Sequence, residues 1–299
     1  MSTPIEARDL TRRFGETVAL AGVDWTATAG TAIGLVGRNG SGKSTLLRVV
    51  TGLLLPSGGS CRTLGWPAGE LRADELARIG YVDQEAELLD WLSVEQQVRY
   101  VAAMQPRWDR QHERRLCDAL ELDPRRTVGE LSKGMRQRLA VVLALAHRPE
   151  LLLLDEPVSG IDPAARALVL ELCLERVIQD GATLVISSHV LHDVERVVDR
   201  LLCLDEGRVT ADASIDELKE GYAEWIVTSG PRELPAAFPE PFVLRHEGNG
   251  RHARLAVRAG EQELRAFRER HGVTVERRSL DLERIFPLIS SGARAEERP

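Results

Sequence analysis

The chain has 299 residues, 43% hydrophobic and 28% charged, with 46 acidic against 39 basic side chains and a formal charge of -7. That is globular composition, long enough for one large α/β domain and a smaller one. The mild acidity speaks against general affinity for nucleic acid, which requires basic stripes, so no nucleic-acid partner is expected.

Glu6 and Asp9 sit where a basic and then apolar leader would be, so no signal peptide is expected. No apolar run approaches the ~20 residues that span a bilayer. Cys61, Cys117, Cys173 and Cys203 lie far apart without a Cys-x-x-Cys pair and read as reduced, partly buried thiols of a cytosolic protein.

Residues 17–37 read as short strands, the last being the buried run "AIGLVG" (32–37). A helix follows from about Ser44 to Val50, and Gly52 can stop it. "PSGGS" (56–60) is turn chemistry, and "ARIGYVDQ" (77–84) contains a short strand. From Ser93 to about Arg148 the pattern is helical. "SVEQQVRYVAAM" opens with a Ser-x-x-Gln capping box, 109–122 is amphipathic, and 135–148 is apolar enough to be largely buried. "ELLLLDEP" (150–157) is a strand carrying two carboxylates at its C-terminal end. A helix closed by Gly181, a strand over 182–189, a helix over "VLHDVERVVDR" and a hairpin over 201–212 follow.

Strands alternating with helices imply α/β architecture with a mainly parallel, doubly wound sheet and a helical block inserted at roughly 90–148. The tail differs. A hairpin around Gly248–Gly250, a helix over 261–272, a strand over "VTVERRSL" and a short helix over "DLERIFPLI" form a small α+β domain. The boundary falls at 220/221, giving domains 1–220 and 221–299. The last residues, "SGARAEERP", read as disordered.

The strongest chemical signal is "GRNGSGKST" (37–45). It fits Gly-x-x-x-x-Gly-Lys-Ser between a buried strand and a helix, the context that this phosphate loop requires. Gly37, Gly40 and Gly42, with Arg38, Asn39 and Ser41 between them, let successive backbone N–H groups wrap a phosphate. Lys43 reaches the β- and γ-phosphates, Ser44 ligates Mg²⁺, and Thr45 donates to the α-phosphate. Asp155 and Glu156 arrive at the sheet edge where ligands bind in such folds. Asp155 is placed to hold Mg²⁺ and Glu156 to orient the attacking water.

Taken with "YVDQE", "LSKGM", "SGID" and the histidine after "LVISS", these motifs stand in the order of the ATP-binding-cassette ATPases, which the chain resembles over roughly residues 5–210. The resemblance implies a phosphate-loop core with an N-terminal antiparallel β-subdomain and an inserted helical subdomain. It implies that Gln84 senses Mg²⁺ and water, that His189 contacts the γ-phosphate, and that Phe14 stacks on adenine. It also implies that Ser132 and Gly134 face the γ-phosphate held by an opposite subunit, and that "SGID" touches that subunit. The cofactors are then ATP and Mg²⁺. The partners are a second copy, head to tail with ATP at the interface, and a multi-span membrane permease. The chain would be cytoplasmic and peripheral on the inner face of the membrane.

The usual signature is Leu-Ser-Gly-Gly-Gln; here Lys133 and Met135 replace its first glycine and its glutamine. Trp91 is either an anchor for the membrane partner or a core aromatic of the helical block. His192 reads as a helix surface residue and the arginines of "RERHG" as a solvated face. A single cassette ending in "RRSLDLERIF" is similar to the exporter branch. The alternative is a soluble ATPase of the same superfamily acting in DNA repair or on the ribosome. Repair ATPases carry long heptad coiled coils between phosphate loop and signature, and the 85 residues between Thr45 and Leu131 show none. A switch without turnover is disfavoured by Glu156.

Overall fold

The structure, a computed structural model, describes residues 3–231 and 233–296, with the side chains of Asp193, Asn249 and residues 290–296 outside that description. β1 (Ile5–Phe14) turns at Gly15 and pairs antiparallel with β2 (Thr17–Thr26). β3 (Ala32–Gly37) is buried along its whole length, as a continuous apolar run in a central parallel strand should be. α1 (Lys43–Val50) buries Leu46, Leu47, Val49 and Val50 in the main core, each such side chain contributing about 1.5–3 kcal/mol. β4 (Gly58–Thr63) and β5 (Trp66–Pro67) complete a four-stranded sheet of order β2-β1-β4-β5. β4 therefore begins inside the stretch expected to be only a turn. Gly59, at φ +71°, permits this: a Cβ there would overlap the Arg8 and Asp9 carbonyls of β1.

α2 (Ala73–Leu76) leads into β6 (Ile79–Val82). The helical block consists of α3 (Val94–Ala102), α4 (Arg110–Ala119) and α5 (Lys133–Leu145). Ser93 and Gln96 form the expected capping box, with Ser93 Oγ accepting from the Gln96 N–H at 3.2 Å and Gln96 Oε1 from the Ser93 N–H at 2.9 Å. β7 (Leu151–Asp155), α6 (Pro163–Asp180) and β8 (Thr183–Ser187) follow, and Gly181 ends α6 in the left-handed region. α7 (Leu191–Glu195) is shorter than the helix expected through Arg200. Asp199 explains the stop. Its backbone N–H donates to Ala32 O at 2.7 Å and its carboxylate accepts from the Ala32 N–H at 2.8 Å, so the chain is already bound to β3. β9 (Arg200–Asp205) and β10 (Arg208–Ser214) form the hairpin.

The resulting six-stranded sheet has the order β10-β9-β3-β8-β7-β6. β3 is parallel to β8 and β9, and β7 to β6 and β8. The C-terminal ends of β3, β7 and β8 consequently share one edge.

The chain divides into two compact units, Met1–Asp212 and Ala213–Pro299. The division precedes the expected 220/221 boundary because α8 (Ile215–Gly221), capped by Ser214, packs within the second unit. That unit holds β11 (Tyr222–Ser229), β12 (Val243–Asn249), β13 (His252–Arg258), α9 (Glu261–His271), β14 (Val273–Ser279) and α10 (Leu282–Glu296). Its antiparallel sheet has the order β12-β13-β11-β14. Trp225 is fully buried, its ring 5.6 Å from Phe242 and 5.2 Å from Phe267.

Two expectations are corrected here. α10 continues through the stretch expected to be disordered as far as Glu296; residues 297–299 lie outside the described residues. Leu282, Ile285, Leu288 and Ile289 bury one helical stripe while Pro287 is exposed. The "RERHG" segment is not simply a solvated face: Arg270 and His271 contact the buried Glu240, at 3.2 and 2.7 Å.

Cys61, Cys117, Cys173 and Cys203 are free, and burial pushes the Cys173 thiol up to about 12, which makes it inert. His112, buried on α4, is pulled down to about 4, first by burial and then by Arg148, Arg115 and Arg176. Its unfolded value is 6.5, so between pH 6.5 and 4 the unfolded chain binds more protons and stability falls with falling pH. Urea unfolding across that window should show His112→Gln losing about 2 kcal/mol less than the parent protein.

Candidate nucleotide site

β3 delivers Gly37 to the sheet edge, and the chain turns into α1 through Gly40 at φ +79° and Gly42 at φ +105°. Gly42 is the N-cap and offers no side chain, so the first N–H groups of α1 are left for an anion. Side chains are excluded here by contact as well. A Cβ on Gly42 would lie 2.5 Å from Ala19 O, and one on Gly37 would overlap Ser41 and Leu204 O. Ser41 Oγ is buried without a partner. Lys43 Nζ bends back to donate to Gly37 O at 2.8 Å and Arg38 O at 3.2 Å. Burial lowers its pKa, and Glu156 and Asp155 act in the opposite direction.

Asp155 ends β7 opposite Ser187 of β8. Ser187 Oγ donates to Asp155 Oδ1 at 2.6 Å and accepts from the Glu156 N–H at 2.9 Å. Asp155 Oδ2 is buried with no partner. Glu156 is 7% exposed and sits at φ +51°, a conformation that costs a non-glycine residue about 1–2 kcal/mol. Its Oε2 lies 2.6 Å from His189 Nδ1. His189 is itself largely exposed, and His192 is exposed on α7.

A cleft of about 530 Å³ is lined by Phe14, Ala19, Asn39, Gly40, Gly42–Thr45, Gln84, Asp155 and Glu156; His189 is not among its lining residues. An unpartnered buried carboxylate oxygen beside the Ser44 hydroxyl and the Gln84 amide is an all-oxygen donor set suited to a hard divalent cation, so Ser44, Gln84 and Asp155 fit Mg²⁺. Gly37, Arg38 and Ser41 shape the loop from behind the lining.

Ser132 and Gly134 do not line this cleft. Ser132 caps α5, accepting from the Met135 N–H at 3.2 Å. Gly134 lies against the "SGID" loop, where a Cβ would come 2.8 Å from Gly160 O. The cations of this helix start are mostly neutralised: Arg136 pairs with Asp90, and Arg138 with Asp162 and Glu121. Lys133 is exposed, its stem along Gly160, and has no acidic partner among the described residues. Met135 Sδ accepts from Arg126 Nη1 at 3.4 Å, a contact within this chain.

Trp91 is 74% exposed, which removes the core-aromatic reading. Its segment is fixed by bonds from the Gly129 N–H to Asp90 O at 2.9 Å and from the Val128 N–H to Leu92 O at 2.8 Å. A groove of about 460 Å³, with Leu53, Tyr81, Leu88 and Ala140 in its walls, runs between the end of β6 and the helical block.

Ser187 escaped the sequence reading. Its only signal was a serine at the end of an apolar strand, and its partners are set by register. Ser187→Ala would orphan Asp155 Oδ1 and the Glu156 N–H together. The expected result is a 10–100-fold loss in Mg²⁺-dependent ATPase or Mg²⁺ affinity, with the fold intact by circular dichroism. Unchanged kinetics would show that the hydroxyl does not hold the two acids.

The ABC transporter family profile matches residues 20–159. A Rhizobium sp. (strain N33) protein named "Nod factor export ATP-binding protein I" is 32% identical over 295 residues, covering 94% of this chain and 95% of the relative. Among solved structures, an ATP-binding subunit of an ABC transporter superposes with TM-score 0.67 at 29% identity, covering 73% of this chain and 92% of that one. A dimeric ATP-binding cassette in a post-hydrolysis state with ADP and Pi gives TM-score 0.63 at 25% identity, covering 71% and 98%. The chain belongs to the ABC transporter ATP-binding family and is an ATP-binding, ATP-hydrolysing cassette.

Proposed function

We propose that this cassette energises a separate multi-span membrane permease, in the direction of export, as a cytoplasmic subunit held on the inner membrane face through that permease. The observation that carries the reading is the divided site. The phosphate loop, Gln84, Asp155 and Glu156 share one cleft, whereas Ser132, Gly134 and Lys133 present a second set of phosphate-seeking groups elsewhere on the same chain. Two copies arranged head to tail complete each other's sites, with one ATP between each pair of half-sites. The export direction rests on the likeness to a protein named for Nod factor export. No helix among the described residues is long and apolar enough to cross a membrane, which is compatible with a separate permease. The exposed Trp91, and the groove walled by Leu53, Tyr81, Leu88 and Ala140, suit apolar contacts with that partner.

Ser44, Gln84 and Asp155 would hold Mg²⁺, which would supply positive charge at the phosphoryl oxygens. Lys43 exchanges the Gly37 and Arg38 carbonyls for the β- and γ-phosphate oxygens. Phe14 stacks on the base. Glu156 Oε2 orients the attacking water and accepts its proton, and His189 steadies that carboxylate and supports the γ-phosphate. Ser132 and Gly134 of the second copy complete the γ-phosphate shell, and Lys133 adds a cation without an acidic partner among the described residues. Catalysis is mainly positioning and charge neutralisation. Phosphate release removes the link between the copies and lets them part.

Glu156→Gln should trap ATP-bound dimers on size exclusion and slow phosphate release at least about 100-fold; unchanged ATPase would refute the role of Glu156. Trp91→Glu should lower co-purification of a multi-span protein from membranes, while the isolated chain keeps ATPase within about twofold. Equal recovery would remove Trp91 from the docking surface.

A further inference from the structure

The end of the cleft that takes the base is sparsely built. Phe14 and Ala19 are the first-sheet residues that line it, and Phe14 is 46% exposed at the end of β1. A half-open ring at a strand terminus loses rotational freedom when a base stacks on it, and that loss weakens binding.

One neighbour removes this freedom in advance. The Arg12 guanidinium carbon lies 4.6 Å from the centroid of the Phe14 ring. Arg12 is anchored in turn, with Nη1 donating to Leu55 O at 2.8 Å in the loop after α1. The same loop is laced to β1 by the Ser57 N–H to Thr11 O at 2.7 Å and the Arg13 N–H to Ser57 Oγ at 3.0 Å. Phe14 lines the cleft, while Arg12, stacked on its ring, does not.

We infer that Arg12 is a positioning residue for the nucleotide base, holding Phe14 in a guanidinium–ring–purine stack and acting only through the ring. The inference rests on Phe14 receiving the base. A cation on one face draws π density towards itself, fixes the ring plane and leaves the other face better matched to an electron-rich purine. The phosphates are gripped independently by the loop 37–45, so Arg12 contributes to recognition of the base and not of the triphosphate.

Full-length protein is compared as Arg12→Gln, Arg12→Lys, Phe14→Leu and Arg12→Gln with Phe14→Leu. ATP and inorganic tripolyphosphate, a ligand without a base, serve as calorimetric probes alongside steady-state ATPase. Glutamine retains an N–H donor for Leu55 O and loses the charge; lysine retains the charge. Arg12→Gln should raise KM and Kd for ATP about threefold to fivefold, with kcat held within about twofold and tripolyphosphate affinity unchanged. Arg12→Lys should recover most of the loss, and Arg12→Gln should add nothing once Phe14 is leucine. If Phe14→Leu weakens ATP but Arg12→Gln does not, the role of Arg12 is overturned and the base site stands. If Arg12→Gln weakens tripolyphosphate equally, Arg12 acts on the fold and the inference fails. If Phe14→Leu leaves ATP binding unchanged, the base site itself is refuted, and the inference with it.

Discussion

Asp155 and Ser187 face each other in the parallel register of β7 and β8, and the reaction centre depends on that pairing. One hydroxyl fixes the rotamer of the carboxylate suited to Mg²⁺ and pins the backbone N–H that carries Glu156 into the left-handed region. A slip of one residue would turn Ser187 to the other face and release both acids. The slip is opposed by apolar burial. Leu151–Leu154 and Thr183–Ile186 are buried in strands covered on both faces, so the hydrophobic core holds a polar site in register.

The cations of the helix start find acids within the chain, whereas a carboxylate oxygen of the cleft is left open. Arg136 and Arg138, which look misplaced at the start of a helix, are neutralised by Asp90, Asp162 and Glu121, the Asp162 pair tying α5 to the start of α6. Asp155 lines the cleft and its Oδ2 is buried without a partner among the described residues, a cost that a native fold accepts where a ligand will supply the missing bond. Lys133 follows the same logic at the surface, as a cation beside a helix N-terminus with no acidic partner among the described residues.

Much of the site was legible in the sequence because phosphate binding needs contiguous residues. The loop 37–45 announces itself through glycines at fixed offsets, and its strand–loop–helix setting is visible in hydropathy alone. Asp155, Glu156 and His189 were legible as polar residues ending buried strands. The second unit was legible in kind but not in extent: α8 joins it through packing, and the apolar stripe of α10 carries the helix past an exposed proline. Ser187, the Arg12–Phe14 stack and the exposure of Trp91 were not legible. Each depends on what lies across a sheet or above a ring, and no spacing along the chain encodes that.

The amino-acid sequence by itself determined the family motifs and their order, the alternation of buried strands and helices, and the residue types that meet a triphosphate, because these follow from local backbone freedom, periodicity and chemistry. The tertiary structure alone decided which groups are paired and which are left open. It put Ser187 between the two acids, neutralised two of the three cations after Ser132, turned Trp91 outward and kept Ser132 and Gly134 away from the cleft of their own chain. The reason is that hydrogen bonding and charge neutralisation act through space over a few ångströms, between residues that the sequence separates by as many as 167 positions, as it does Ala32 and Asp199.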